Sequence, residues 1–360
     1  MSKWEEKKFK EFIKLNRGFD LPNDKMKFGN YPVVASTNIK GYHISYKVTA
    51  PVVVTGRSGS LGVVQYIDKN CTPLNTTLYV KDFKGNFPRF VYYYLKTMRL
   101  DTFNSGAGVP TLNQNHLHSI KINIPDLPTQ ERIADILSAY DDLIEANNRR
   151  IELLEQTAQE LYKEWFVRFR FPGYEAAKFE NGLPQGWSYE KFKDELTYNT
   201  GKLDSNAAVL DGEYSFYTCA KTIYKTNTYC FDGECVLLGG NNATGDFSLF
   251  YANEKLDAYQ RTYIVTPQNQ TLSCVYIYFV LKDYLLQFKT ASIGATTKFL
   301  TKGMLDKAKI LVPDEKTILR YNEIAKNMFD QIVSLKAKNE NLVSQRNMLL
   351  PRLMSGKVEV

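Results

Sequence analysis

Residues 122–166 read INIPDLPTQERIADILSAYDDLIEANNRRIELLEQTAQELYKEWF. An alternating Ile-Asn-Ile run stops at Pro125, and beyond it the apolar period changes from two to three and a half. Ile133, Leu137, Tyr140, Ile144, Asn147, Ile151, Leu154, Ala158, Leu161 and Trp165 step alternately by four and three. Spacing sustained over that length marks a coiled-coil seam, not the apolar stripe of an ordinary surface helix. It predicts one helix from about Thr129 to Phe166, roughly 55 Å long at 1.5 Å per residue and built to pair. The same change of period follows Pro313, where Tyr321, Ala325, Met328, Ile332, Leu335, Asn339, Leu342, Arg346, Leu349 and Leu353 carry a second seam.

The second seam belongs to a duplication of the whole chain. Trp4, Phe9, Gly18, Gly29, Tyr31 and Gly56 recur at Trp187, Phe192, Gly201, Gly212, Tyr214 and Gly239, a shift of 183. Further on the shift is 188, which carries Gly106, Ala107, Leu112, Leu117 and Pro125 onto Gly294, Ala295, Leu300, Leu305 and Pro313. A unit of about 180 residues is too long for a solenoid repeat and long enough for a domain. Two such units that have diverged point to two related but different recognition events.

Each copy opens with short β-branched and aromatic runs punctuated by Gly, Asn and Asp: Tyr31 to Ala35, Val52 to Thr55 and Leu78 to Val80, then Cys235 to Leu238 and Thr262 to Val265. An apolar segment, Phe90 to Met98 or Val275 to Leu286, reads as a packed helix. A polar small-residue loop, Asn104 to Thr111 or Ser292 to Lys298, leads to the strand before the proline. The expected architecture is α+β: two β-rich globular domains separated by two long antiparallel coiled-coil helices, with a pseudo-twofold internal repeat. The boundaries are 1–126 for the first domain, 127–170 for the first helix, 171–315 for the second domain and 316–360 for the second helix.

The two seam asparagines are not equivalent under the repeat, since Asn147 corresponds to Leu335 and Asn339 to Ile151. In an antiparallel pair, opposing residue numbers share one sum, and setting Asn147 against Asn339 fixes it at 486. Ile151 then faces Leu335, Leu154 faces Ile332, and Ile144 faces Leu342. A polar layer of this kind sets register at some cost in stability; two tolerated polar positions without mutual contact remain the alternative.

Charge is distributed unevenly. The net charge is +7, and residues 1–126 alone hold 18 Lys and Arg against 9 Asp and Glu, whereas residues 127–166 hold 4 against 9. A basic first domain suits a polyanion, with nucleic acid the first partner to consider. No run of 18 apolar residues exists to cross a membrane, and the charged N-terminus lacks a signal-peptide core, so the chain reads as cytoplasmic. Five cysteines without a Cys-x-x-Cys pair read as reduced thiols, and His116 and His118 lack the further ligands a zinc site needs. No metal and no cofactor is assigned to this chain.

Several stretches resemble the specificity subunit of type I restriction-modification enzymes. INIPDLPTQERIADIL (122–137) is similar to that family's strand, proline and helix entry. IELLEQTAQELYKEWFVRF (151–169) with LPQGW (183–187) resembles its central conserved region, TGRSGSLG (55–62) the glycine turn of a target-recognition domain, and LLPRLMSGKVEV (349–360) its usual C-terminus. The second copy departs from the pattern at LGGNNATG (238–245), which lacks the arginine, and at PDEKTILRYNEIA (313–325), which lacks Gln-Glu-Arg. The resemblance implies that each head reads one half of a split double-stranded DNA site while the helices set the gap between halves. It further implies two modification subunits that carry S-adenosylmethionine and methylate adenine, and restriction subunits driven by ATP and Mg.

Candidate contacts follow from the turns. Arg57 and Ser58 lie in the first glycine-rich turn, where an arginine suits guanine, and Asn241 and Asn242 occupy the matching turn, where an asparagine suits adenine. Ser105, Thr111, Thr296, Thr297 and Lys298 on the other loop suit phosphate, and Lys40, Lys47, Lys221 and Lys225 are placed to track the backbone. Ordinary tight turns and solvated lysines are the competing readings. Tyr42, Tyr46, Tyr224 and Tyr229, interleaved with those lysines, read first as packing. A stand-alone two-headed DNA-binding protein is the alternative function. A nuclease or methyltransferase in its own right is disfavoured, because no Asn/Asp-Pro-Pro-aromatic motif and no Walker loop is present. Pro125-Asp126 and Pro313-Asp314 read as helix caps, and Asp82-Phe83-Lys84 as a loop.

Overall fold

A computed structural model describes residues 4–106, 108–292 and 297–360. Two compact units divide the chain: Met1–Ala146 together with Lys338–Val360, and Asn147–Ala337. Each of the two long helices therefore contributes one part to each unit.

In the first unit, strand Trp4–Lys8 runs antiparallel to Lys121–Pro125, with Trp4 opposite Pro125. A four-stranded sheet follows the order Lys14–Arg17, Thr77–Asp82, Val52–Gly56, Val64–Ile67, and a smaller sheet joins Ile39–His43, Tyr31–Val34 and Thr72–Pro73. Val52 to Gly56 are buried throughout, because this central strand is covered on both faces. Helix Pro88–Thr97 buries Phe90, Val91, Tyr93 and Leu95 against the sheet, starting on a proline whose missing N–H costs nothing in a first turn.

The second unit repeats the plan. Ser188–Lys191 pairs antiparallel with Lys309–Val312. Its six-stranded sheet runs Leu196–Thr200, Thr262–Pro267, Phe231–Gly239, Leu249–Ala258, Tyr214–Tyr217, Tyr224–Thr226, so its first four positions reproduce the order of the first unit's larger sheet. The retained glycines have a steric reason. A Cβ on Gly18 would overlap the Leu74 carbonyl, and one on Gly201 would overlap the Ala258 carbonyl. The helix expected over 275–286 extends over Cys274–Ala291, capped by Ser273 Oγ accepting from the Tyr276 amide at 3.2 Å.

The central helix spans Leu127–Tyr162 and passes into a π-turn, Lys163–Val167, where the sequence predicts plain helix to Phe166. The wider turn accommodates two adjacent buried aromatics: Trp165 and Phe166 are 5% and 4% exposed, and both contact Tyr321, Trp165 with tilted rings and Phe166 edge-to-face. Helix Glu315–Met354 is its partner, and within each unit the two helices pack antiparallel. In the second unit Ile151, Ala158, Ala325, Ile332 and Leu335 share one core, with Leu154 packed on it. Arg150 Nη2 donates to Gln331 Oε1 at 2.9 Å, and Lys336 Nζ lies 3.7 Å from Glu155, on either side of the 486 line. In the first unit Ile133, Leu137 and Leu353 are buried together with Leu349 against them, and Asp141 pairs with Arg346. Ile144 and Leu342 are half-buried, as is Asn147, and Asn339 is buried. The fold is thus the expected α+β arrangement of two strand-rich domains with two long helices packed antiparallel.

The helix entries explain the departure between the copies. Gln130 is buried and fully used: Nε2 donates to Asn86 Oδ1 at 2.8 Å and to the Pro125 carbonyl at 2.9 Å, and Oε1 accepts from the Phe87 amide at 3.0 Å. At the equivalent place the second unit buries Ile318 instead, which needs no polar partners. Asp126 and Asp314 cap the helices, each Oδ1 accepting an amide at 3.1 Å, from Thr129 and Thr317. Asp82 Oδ1 likewise accepts the Lys84 amide, 2.8 Å, in a tight turn where Lys84 is left-handed.

Asp141 ties the first unit together, since it pairs with Arg346 and accepts from Tyr93 Oη at 2.6 Å. Asp141→Ala removes the carboxylate from a largely buried guanidinium, leaving it only Asn347 Oδ1, and leaves the Tyr93 hydroxyl without its acceptor, and is expected to cost about 2–4 kcal/mol in denaturant unfolding. In the second unit, burial alone raises the Asp314 carboxyl, but hydrogen bonds from Thr317, Trp187 and the Lys316 amide outweigh it and hold the group below its ordinary 3.8. A depressed carboxyl stabilises the fold above its unfolded value, and the stabilisation is lost as pH falls through the lowered one. Asp314→Ala is therefore expected to cost about 1 kcal/mol at neutral pH and to close the gap to wild type in melts taken below about pH 4.

Candidate functional site

In the first unit the glycine-rich turn and the polar loop, some fifty residues apart, come together. Ser58 and Thr111 form a β-bridge, the Leu112 amide donates to the Arg57 carbonyl at 2.8 Å, and the Gly59 amide donates to the Pro110 carbonyl at 2.9 Å. Gly59 is left-handed at φ 86°, with open space where a Cβ would stand. The loop is braced by its own side chains. Asn104 Oδ1 accepts the amides of Gly106 and Thr111, both at 2.9 Å. Ser105 Oγ donates to the Thr111 carbonyl at 2.9 Å, and Thr111 Oγ1 to the Val109 carbonyl at 3.0 Å. The hydroxyl protons of Ser105 and Thr111 are thus committed to the chain itself.

Arg57 is oriented from behind: its amide donates to the Thr76 carbonyl at 2.8 Å and its Nε to the Asn75 carbonyl at 3.0 Å. The two terminal nitrogens of the guanidinium make no hydrogen bond among the described residues, so they form a two-pronged donor ready for a bidentate acceptor.

The second unit builds the same junction. Asn241 pairs with Phe299 and Asn242 with Lys298, the Leu300 amide donates to the Gly240 carbonyl at 2.8 Å, and the Gly240 amide donates to the Arg261 carbonyl at 2.7 Å. Under the repeat Asn241, Phe299, Leu300 and Gly240 correspond to Ser58, Thr111, Leu112 and Arg57, and Arg261 takes the place of Thr76 through the shared backbone bond, so one hydrogen-bond pattern recurs on different side chains. Asn242 Oδ1 braces the turn, accepting from the Thr244 amide and hydroxyl at 2.8 and 2.9 Å and from the Asp246 amide at 3.2 Å. Among the described residues Asn241 Oδ1 is buried with no hydrogen-bond partner. A bidentate contact to adenine uses both ends of an amide, and Asn242 offers only its nitrogen without first breaking the turn. Thr297 and Lys298 are half-buried beside this junction, and Thr296 lies outside the described residues.

The lysines divide. Lys221 is exposed but paired with Asp246, whose carboxyl is held below its ordinary range by that ammonium and, more weakly, by Lys289. Lys40 donates to Asn23 Oδ1 at 2.6 Å. Lys47 is exposed, and Lys225 is half-buried on the edge strand Tyr224–Thr226. The tyrosines differ from the packing expectation, because Tyr42, Tyr46, Tyr224 and Tyr229 all lie on exposed hairpin faces. Two of them pack on a second tyrosine, Tyr46 against Tyr31 at 4.8 Å between ring centres and Tyr229 against Tyr214 at 5.1 Å, one pair in each unit at equivalent positions, and Lys255 Nζ also lies over the Tyr229 ring at 4.8 Å.

His118 Nε2 accepts the Leu15 amide at 3.2 Å, and burial together with Lys14 holds its pKa below the usual value, which suits a neutral structural acceptor. Burial pushes the Cys71 and Cys274 thiols up to about 12, far from the thiolate that nucleophilic or metal-binding sulfur requires. Among the described residues no three His, Cys, Asp or Glu side chains converge as metal ligands, and no helix is long and apolar enough to cross a membrane.

Comparison with known proteins bears on the whole chain. Residues 1–156 match the family model described as the type I restriction modification DNA specificity domain. The type I restriction enzyme EcoDI specificity subunit of Escherichia coli is 31% identical over 160 residues, which are 44% of this chain and 35% of that subunit. The MjaIX specificity subunit of Methanocaldococcus jannaschii is 22% identical over an alignment covering 99% of this chain and 94% of its own length. The S subunit of a type I restriction-modification system from M. genitalium shares the fold, with a TM-score of 0.69 at 16% identity, covering 98% of this chain and 96% of that one. The resemblance carried by the sequence motifs is thereby borne out.

The junction's dependence on Asn104 is measurable. Asn104→Ala frees two loop amides at once, and amide exchange at Gly106 and Thr111 is expected to accelerate at least tenfold, the equivalent of about 1–2 kcal/mol of local stability. Exchange in helix Leu127–Tyr162 should not change.

Proposed function

We propose that this chain, a relative of the type I specificity subunits, selects the DNA sequence on which a methyltransferase complex acts. Each unit reads one half of a split site in double-stranded DNA, and the helix pair sets the gap between the halves. The observation that carries this reading is the recurrence of one two-loop junction in both units, with the same backbone bonds and different outward side chains. A common scaffold with exchanged donors is what two different half-sites require, since base identity is read through hydrogen-bond patterns in the major groove.

The chemistry belongs to partners in this reading. Two modification subunits, carrying S-adenosylmethionine, dock on the helices and methylate adenine, and ATP- and Mg-dependent restriction subunits join them. The acidic face of residues 127–166 is the proposed docking surface. The buried cysteines and the structural His118 support a non-catalytic chain, because neither presents an activated group to a substrate.

Mapping methylated adenines across the genome of cells with and without this gene tests the proposal. One split motif should lose its methylation when the gene is removed. Arg57→Ala should then relax a single base position in one half of that motif, and methylation that ignores both changes would sink the reading.

A further inference from the structure

The second turn lacks the arginine of the first, and the geometry shows why. A Cβ on Gly240, the residue equivalent to Arg57, would overlap the Arg261 carbonyl, so no side chain fits there. The backbone bond at that point is nevertheless the same one. The Arg57 amide donates to Thr76 at 2.8 Å, and the Gly240 amide donates to Arg261 at 2.7 Å. The first unit has an arginine on the turn and a threonine across the bond; the second has a glycine on the turn and the arginine across the bond. Resting on the DNA-reading function proposed above, we infer that Arg261 is the base-reading arginine of the second unit, displaced by one hydrogen-bonded backbone step from the position Arg57 holds in the first.

Independent features of the site agree. Arg261 is exposed, and its side chain makes no hydrogen bond and no ion pair among the described residues. Its guanidinium is not loose, since it lies over the Phe299 ring at 5.2 Å from the ring centre. Phe299 is the residue paired with Asn241, so the ring that orients the arginine is fixed by the junction itself. A groove of about 340 Å3 opens there, lined by Gln260, Arg261, Phe299 and Lys302 around the bare Gly240 backbone. A planar donor held over an aromatic ring, with all its hydrogen-bonding edges unspent among the described residues, suits the O6 and N7 acceptors of a guanine. Lys302 supplies charge for the adjoining phosphate.

The test uses the full chain co-expressed with its modification subunits and reads methylated motifs genome-wide. With Arg261→Ala, one base position is expected to relax in the half-site that Arg57→Ala leaves intact, with discrimination there falling about ten- to hundredfold. Arg261→Lys, which keeps the charge and the aliphatic stem and guards against a folding defect, should relax the same position, because an ammonium cannot make the planar two-point contact. If Arg261→Lys restores the wild-type motif, or if Arg261→Ala lowers methylation evenly at every site without changing the motif, Arg261 contacts phosphate and the inference is overturned. An unchanged motif and rate in both variants overturns it too, while the split motif of the wild type still stands for the broader reading. Absence of any split motif in the wild type brings down both.

Discussion

Neither copy of the repeat closes its core with its own residues alone. The first unit closes on Leu353 and Met354 from the helix that ends the second copy, and the second closes on Ile151, Ala158, Tyr162 and Trp165 from the helix that ends the first. Burying each such side chain is worth about 1.5–3 kcal/mol, so the exchange is an obligatory part of both folds. It explains why the seam spacing is kept over ten positions in each helix while the turns drift. A one-residue slip in either helix would misplace apolar groups in both cores at once, and would separate Asp141 from Arg346 and Arg150 from Gln331.

The helices were legible in the sequence because their information is local and periodic. Ile133 to Trp165 announce a stripe by spacing alone, and a second stripe from Tyr321 to Leu353 announces its partner. The π-turn was not legible, since it depends on where Tyr321 lies when Trp165 and Phe166 both seek burial. The candidate site was legible only in halves. The two loops were singled out separately, but the bridge from Ser58 to Thr111 spans fifty residues and leaves no mark on composition. Lys221 looked like a free cation because Asp246 is distant in sequence, and Asn242 looked like a reader because its bonds to Thr244 and Asp246 are made by the folded turn. Arg261 sits in a stretch with no glycine motif, and its signal was the equivalence of Thr76 and Arg261 under the repeat, visible only once the sheets are aligned.

The junction shows how side chains change without a change of fold. Its bonds run through backbone amides and carbonyls, so the side chains at Arg57, Thr76 and Arg261 can vary without loosening it, while Gly240 must stay bare beside the Arg261 carbonyl. The braces, Asn104 in one unit and Asn242 in the other, differ in position but do the same job of tying down orphan amides. Backbone rigidity and side-chain freedom are therefore separated in space within a few residues.

The division of the chain also orders its birth. The second unit is one continuous stretch, Asn147–Ala337, and has all its core residues in hand once that stretch has left the ribosome. The first unit, though made earlier, lacks residues 338–360 until the end. At ordinary elongation rates its unfinished core, Phe9, Phe90, Ile133 and Leu137 included, waits roughly ten to forty seconds for Leu353. The half of the molecule synthesised first is the half completed last, and the apolar faces it shows in the interval are the ones a chaperone would meet.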